Sequence, residues 1–109
     1  AGTNNGDMAA AVKALETQKG GMAIVLDGQV LAAIPLPIAG LMSDQPAAAV
    51  DAAMDELYAK AHHILGVSDE VDVIMTLCFM SLPVIPKLKL LDTGLFDVEA
   101  FDFVPVELD

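Results

Sequence analysis

Basic residues are scarce in this sequence. Only 5 lysines and arginines stand against 16 aspartates and glutamates, for a formal net charge of −11. Phosphate recognition needs the opposite sign, so nucleic-acid binding is disfavoured, and so are anionic membrane surfaces. Tryptophan is absent and aromatics make up 5%. There is one cysteine, Cys78, which rules out an internal disulfide framework and points to a reducing, cytoplasmic setting. No run approaches the ~18 consecutive apolar residues of a membrane span. The N-terminal "AGTNNGD" has no signal-peptide pattern and no initiator methionine, as in a chain that starts in the middle of something.

Apolar residues, by contrast, are plentiful. They make up 55% of 109 residues. This length favours one domain, residues 1–109, with one modest core. The apolar excess implies a face that packs against protein outside the sequence.

Residues 4–19 read as a helix capped by Asn4 or Asn5, with Asp7 in its first turn and an apolar stripe of Met8, Val12 and Leu15. Lys19 followed by Gly20-Gly21 reads as its stop, with glycine in a left-handed cap. The runs 22–26 and 29–34, joined by Asp27-Gly28, carry the pattern of a hairpin with a type I′ turn. A second helix is expected over 46–65, with Val50, Met54, Leu57, Ala61 and Ile64 inward and Glu56–Lys60 as an i,i+4 pair. "VDVIMTLCFMSL", 71–82, suits a strand by its β-branched content and a buried helix by its length and all-round apolarity; the balance favours a short helix. "KLKLLDTGLFDV", 87–98, reads as a second hairpin with a Thr-Gly turn, and 101–108 as a terminal edge strand. The fold class is therefore α+β: a mainly antiparallel sheet of two hairpins plus a terminal strand, with two or three helices packed on it.

Between the first hairpin and the second helix lies "PLPIAGLMSD", 35–44, too apolar for a wet loop and too proline-rich for a strand. Pro35 and Pro37 end the ladder, Gly40 permits a sharp bend, Ser43 or Asp44 is a helix N-cap type, and Pro46 suits the first helical turn. Leu36, Ile38, Leu41, Met42, Ser43 and Asp44 form a candidate interface loop. The alternative is that its apolar side chains fill this domain's own core.

No residue pattern assembles a catalytic or metal site. His62-His63 are neighbours about 100° apart on a helix and cannot chelate one ion, so they read as solvated residues near a helix end. Ser43 lacks a nucleophile elbow. Cys78, among Leu77, Phe79 and Met80, reads as a buried inert thiol. Gly20-Gly21 opens no phosphate loop. The acids form no EF-hand, and the methionines read as scattered core fillers.

The leading "GTN", the "GG" before an Asp-Gly hairpin, "PLPIAGLMSD", and "LPVIPKLKLLDTGLFDV" at 82–98 together resemble the C-terminal domain of bacterial and archaeal adenine deaminases, members of the amidohydrolase superfamily. The likeness covers nearly the whole chain. It departs at 71–74, "VDVI", where the family tends to carry a proline before its methionine-rich segment. The resemblance implies a longer, cytoplasmic enzyme that hydrolyses adenine to hypoxanthine and ammonia. In such enzymes a (β/α)₈ barrel holds a divalent metal pair, manganese or iron, partly through an H-x-H motif. This chain has no H-x-H, so no ligand transfers onto it, and catalytic, cofactor-binding and metal residues are all expected elsewhere. The implied partners are the catalytic barrel of the same polypeptide and a second subunit of a homo-oligomer such as a dimer. Two other readings stay open: an independent interaction or oligomerisation module docking through 35–44, and a self-contained hydrolase built on Ser43 or Cys78.

Overall fold

The computed structural model describes residues 1–107, Ser81 by its backbone alone. The arrangement is α+β, with three helices and five antiparallel strands. The strands fall into two sheets rather than one, and the chain separates into two compact units, residues 1–71 and 72–109.

In the first unit, α1 spans Asn5–Thr17. Asn4 caps it: its side-chain oxygen accepts from Asp7 N–H at 2.8 Å, while its amide donates to Asp7 Oδ2 at 2.9 Å. The stop differs from the sequence expectation. Lys19, not glycine, takes the left-handed position, with φ 64°. Gly20 N–H returns to Leu15 C=O (2.8 Å) and Lys19 N–H to Glu16 C=O (3.2 Å), the paired bonds of a Schellman closure. The glycines serve close approach instead. A Cβ on Gly21 would sit 2.0 Å from Ile34 C=O, and one on Gly20 2.6 Å from Gly40 Cα.

Strands β1 (Gly21–Leu26) and β2 (Gln29–Pro35) form the expected hairpin. Asp27 and Gly28 both have positive φ, as a type I′ turn requires. One irregularity was not legible: Ile24 pairs with Ala32 and Val25 with Val30, so Leu31 is an extra, unpaired residue. This bulge changes which side chains share a face. Val30 and Ala33, three apart, both line a shallow cleft against Ala10, Ala14 and Gln18 of α1.

The face of α1 that packs keeps Leu15 of the Met8–Val12–Leu15 stripe but leaves out Met8 and Val12. Val12 is 65% exposed. Asp7, Ala10, Ala11, Ala14, Leu15 and Gln18 are the half-buried positions, a helical stripe half of which is alanine. Small side chains let the helix lie close to the hairpin, where larger ones would hold it off.

Helix α2 spans Ala47–His63. Its inward stripe matches the sequence reading through Val50, Met54, Leu57 and Ala61. Ile64 lies past the last helical turn and is exposed. Leu57 and Ala61, with Ile24 and Ile34 of the hairpin, are the buried apolar residues of the whole described chain.

In the second unit, α3 (Val73–Ser81) is a helix, capped by Asp72, whose carboxylate accepts from Met75 N–H at 2.8 Å. It is mostly exposed rather than buried, with only Val73 and Ile74 half-buried among its described side chains. Strands β3 (Leu88–Leu91), β4 (Gly94–Asp97) and β5 (Asp102–Val104) form the second sheet in that order. The β3–β4 turn residues are Asp92-Thr93, since Gly94 already pairs with Leu91. Strand β5 lies at the sheet edge as read but covers only Asp102–Val104 of the expected 101–108, and Leu108 lies outside the described residues. Phe96 pairs across from Phe103, and the rings meet edge-on at 5.3 Å; Phe101 meets Phe96 likewise at 5.5 Å.

Candidate functional site

The loop 35–44 has a defined backbone path. Its start is held by Leu36 N–H donating to Gly20 C=O at 3.2 Å. Ile38 and Met42 then pair as an isolated antiparallel bridge. Leu41 N–H and Met42 N–H both donate to Ile38 C=O, at 3.0 and 3.2 Å. Ala39 and Gly40 between them both have positive φ, which folds 38–42 into a tight tip. Gly40 meets Gly20 here, so the two glycines bring loop and hairpin base into backbone contact. The "GG" and the lone Gly40 were the sequence signal for that contact, but not for its partner.

The side chains of this tip point away from the core. Leu36 is half-buried, whereas Ile38, Met42 and Leu41 are exposed, Leu41 by 78%. The structure thus brings Ile38, Leu41 and Met42 together on one exposed apolar tip.

Ser43 and Asp44 do not cap α2, contrary to the sequence expectation. Pro46 occupies the N-cap, and no side chain bonds to the helix start. Ser43 Oγ accepts from Gln45 N–H at 3.1 Å, and Asp44 Oδ1 accepts from Gln45 Nε2 at 2.8 Å. Both side chains are used in a local turn one step before the helix, as short polar side chains commonly are.

Three other expectations change. His63 is exposed as read, but His62 is half-buried. Its Nδ1 lies 3.0 Å from Val67 C=O and 3.6 Å from Asp69 Oδ1, and its ring lies parallel to that of Tyr58 at 6.1 Å. It ties the end of α2 to the following loop. Cys78 is exposed, because α3 is. Of the methionines, Met8, Met42, Met75 and Met80 are exposed, so they do not fill the core.

Two polar contacts that the sequence did not reveal fix the hairpin. The Asp7 carboxylate accepts from Gly28 N–H at 2.7 Å and Asp27 N–H at 3.3 Å. The Asn4 amide, then these turn N–H groups, hold its pKa below the ordinary aspartate value. The Lys60 ammonium donates to the carbonyl of the extra residue Leu31 and pairs with Glu56. Glu56–Lys60 was legible as an i,i+4 pair; its reach to Leu31 was not, because the bulge was not.

The described residues bring together no ligand set for the metal pair that the resemblance implies. Among the described residues, no three His, Cys, Asp or Glu side chains converge closely enough to hold an ion. No helix among the described residues is long and apolar enough to cross a membrane.

Comparison with known proteins follows the same lines. A family model described as "Adenine deaminase C-terminal domain" matches residues 1–102. The chain is 52% identical over 106 residues to "Adenine deaminase 2" of Desulfotalea psychrophila, covering 97% of this chain and 18% of that protein. It is 50% identical over 106 residues to "Adenine deaminase" of Nitratidesulfovibrio vulgaris strain Hildenborough, with the same coverage. It is 45% identical over 107 residues to "Adenine deaminase" of Geobacillus kaustophilus, covering 98% of this chain and 18% of that protein. The chain thus spans less than a fifth of these relatives. No solved structure matches it.

Proposed function

The chain belongs to the adenine deaminase C-terminal domain family, and on that premise we propose that it is a structural domain of an adenine deaminase. It packs on the rest of a longer polypeptide and leaves the conversion of adenine to hypoxanthine and ammonia to that part. A divalent metal pair, manganese or iron, would be held there; the described residues of this chain offer it no ligand set.

One observation carries the reading. The tip of 35–44 has a backbone fixed by hydrogen bonds yet carries Ile38, Leu41 and Met42 on its outside. A rigid path gives up little entropy on docking, and adjacent exposed apolar side chains gain by being covered.

The test replaces Leu41 and Met42 with serine, both in this 109-residue chain and in the full-length enzyme. The chain alone keeps its melting temperature, because both side chains are already exposed. The full-length enzyme loses domain or subunit association, or activity. Destabilisation of the chain alone by several kcal/mol, as large-to-small core changes cause, would make the loop core and sink the reading. Adenine incubated with the purified chain and manganese or iron yields no ammonia; metal-dependent turnover that survives further purification would also overturn it.

A further inference from the structure

The hairpin β1–β2 has two outer edges, and they differ. The β2 edge is blunted three ways. Leu31 breaks its register, the Lys60 ammonium occupies the Leu31 carbonyl, and the strand ends at Pro35, which has no N–H to offer. The β1 edge has none of these protections. Its sequence, GMAIVL, contains no charge and no proline.

The turn decides which groups lie on that edge. Leu26 and Gln29 close a two-residue turn and so form a hydrogen-bonded pair, and such pairs alternate along the ladder. Beyond the bulge, Met22–Ile34 is again of this kind. Its two carbonyls lie between the strands, where Gln18 Nε2 reaches both at 3.3 Å. Gly21, Ala23 and Val25 therefore turn their N–H and C=O groups outward. Among the described residues of the first unit, no backbone hydrogen bond from a turn, loop or cap takes up these groups.

We infer that the outer edge of β1 receives an added β-strand, supplied by an extended segment of the polypeptide outside these 109 residues. The inference rests on the proposed role as a domain of a longer enzyme. Three arguments select that occupant. The matched relatives are more than five times longer than the stretch they share with this chain, so ample chain exists to supply a strand. A bare apolar edge left open is a template for aggregation, and native proteins cover or charge such edges. Helices α1 and α2 pack against the hairpin, but its sheet has two strands among the described residues, so β1 is strand-paired on one side alone. The incoming segment bonds main chain to main chain with Gly21, Ala23 and Val25, and its side chains alternate between the α1 side, beside Ala23, and the side of Met22 and Ile24.

Residue-resolved hydrogen exchange on the 109-residue chain and on the full-length enzyme tests this. In the full-length enzyme the Ala23 and Val25 amides exchange at least about 100-fold more slowly than in the chain alone, while the inner Met22 and Ile24 amides are protected in both. Equal exchange at Ala23 and Val25 in the two proteins overturns the inference. So does protection already present in the chain alone that grows with concentration, since that marks pairing between copies. Ala23→Pro removes one outward N–H without touching the inner ladder. In the full-length enzyme it abolishes the slowing at Val25 while Met22 and Ile24 stay protected; Val25 remaining slow overturns the inference. Maleimide labelling of Leu41→Cys, in a Cys78→Ser background, separates the two readings. If full-length context shields the introduced thiol but leaves Ala23 and Val25 fast, the docking role stands and the added strand falls.

Discussion

The two units of this chain are built with similar proportions of apolar residues and use them differently. Residues 1–71 contain all four buried apolar residues, Ile24, Ile34, Leu57 and Ala61. Residues 72–109, little more than half as long, have none among those described, yet expose twelve large apolar side chains against ten in the first unit. The first unit sandwiches a hairpin with helices and closes a small core. The second has a helix and a three-stranded sheet whose aromatic cluster of Phe96, Phe101 and Phe103 stays part-exposed. Burial therefore follows whether an element finds cover within the chain, and the apolar excess of the composition resides mainly where cover is missing.

The same chemical change should consequently cost very different amounts in the two units. Leu57→Ala removes a side chain from the first core and lowers stability by about 3 kcal/mol, within the usual range for buried leucine. Leu90→Ala, at a position 79% exposed, changes it by less than about 0.5 kcal/mol. Urea unfolding of the 109-residue chain measures both. Equal costs would erase the distinction between the units. A larger cost for Leu90→Ala in the full-length enzyme would sharpen it, by locating the missing cover there.

Gly21→Ala comes next in size. Its Cβ would meet Ile34 C=O at a φ of 122°, so a loss of about 2 kcal/mol is expected. Gly28→Ala, at a φ of 75° with open space around it, should lose only about 1 kcal/mol. Thermal melts of the two variants rank steric contact against backbone conformation, and a reversed order would mean that the hairpin base yields easily.

Lys60→Met leaves the Leu31 carbonyl without its ammonium partner. The expected loss is about 1 kcal/mol, since Lys60 is part-exposed and water can partly replace it. A loss confined to the first unit would show as faster exchange along β2 with the second sheet unchanged.

The smallest effect is a pH dependence at Asp7. Its pKa is depressed in the folded chain, so its contribution is fully present above the ordinary aspartate value of 3.8 and is lost as pH falls through the lower folded value. Asp7→Asn should therefore lower the melting temperature at pH 6 and reduce the further drop between pH 4 and pH 2.5. An unchanged acid limb would show that the turn does not need the carboxylate.

Elements with strong periodicity or turn chemistry were legible before the structure. Asp27-Gly28 specified its hairpin because few dipeptides accept two positive φ values. Leu57 and Ala61 were legible because α2 packs a conventional stripe. The α1 face was read in part: Leu15 packs as expected, but Ala10, Ala11 and Ala14 pack in place of Met8 and Val12, and hydropathy weights alanine less. The Leu31 bulge left no local signature; it follows from how the two strands meet. The apolar tip at 35–44 was legible as a candidate from composition alone, but its rigidity depends on Gly20 meeting Gly40, a contact between residues 20 apart. Ser43 and Asp44 misled because turn formers and helix caps share the same chemistry.

Helix α1 is fastened to the hairpin at both ends, by Asp7 on the turn at Asp27-Gly28 and by Gln18 on the carbonyls of Met22 and Ile34. All of these bonds join residues no more than 21 positions apart. These are the shorter-range attachments of the unit, whereas α2 reaches β2 across 29 positions through Lys60. The first 35 residues thus carry their own fastenings, and α2 adds the longer-range contacts that bury Leu57 and Ala61. A chain emerging N-terminus first presents every partner of those fastenings before the core-forming Leu57 and Ala61 follow.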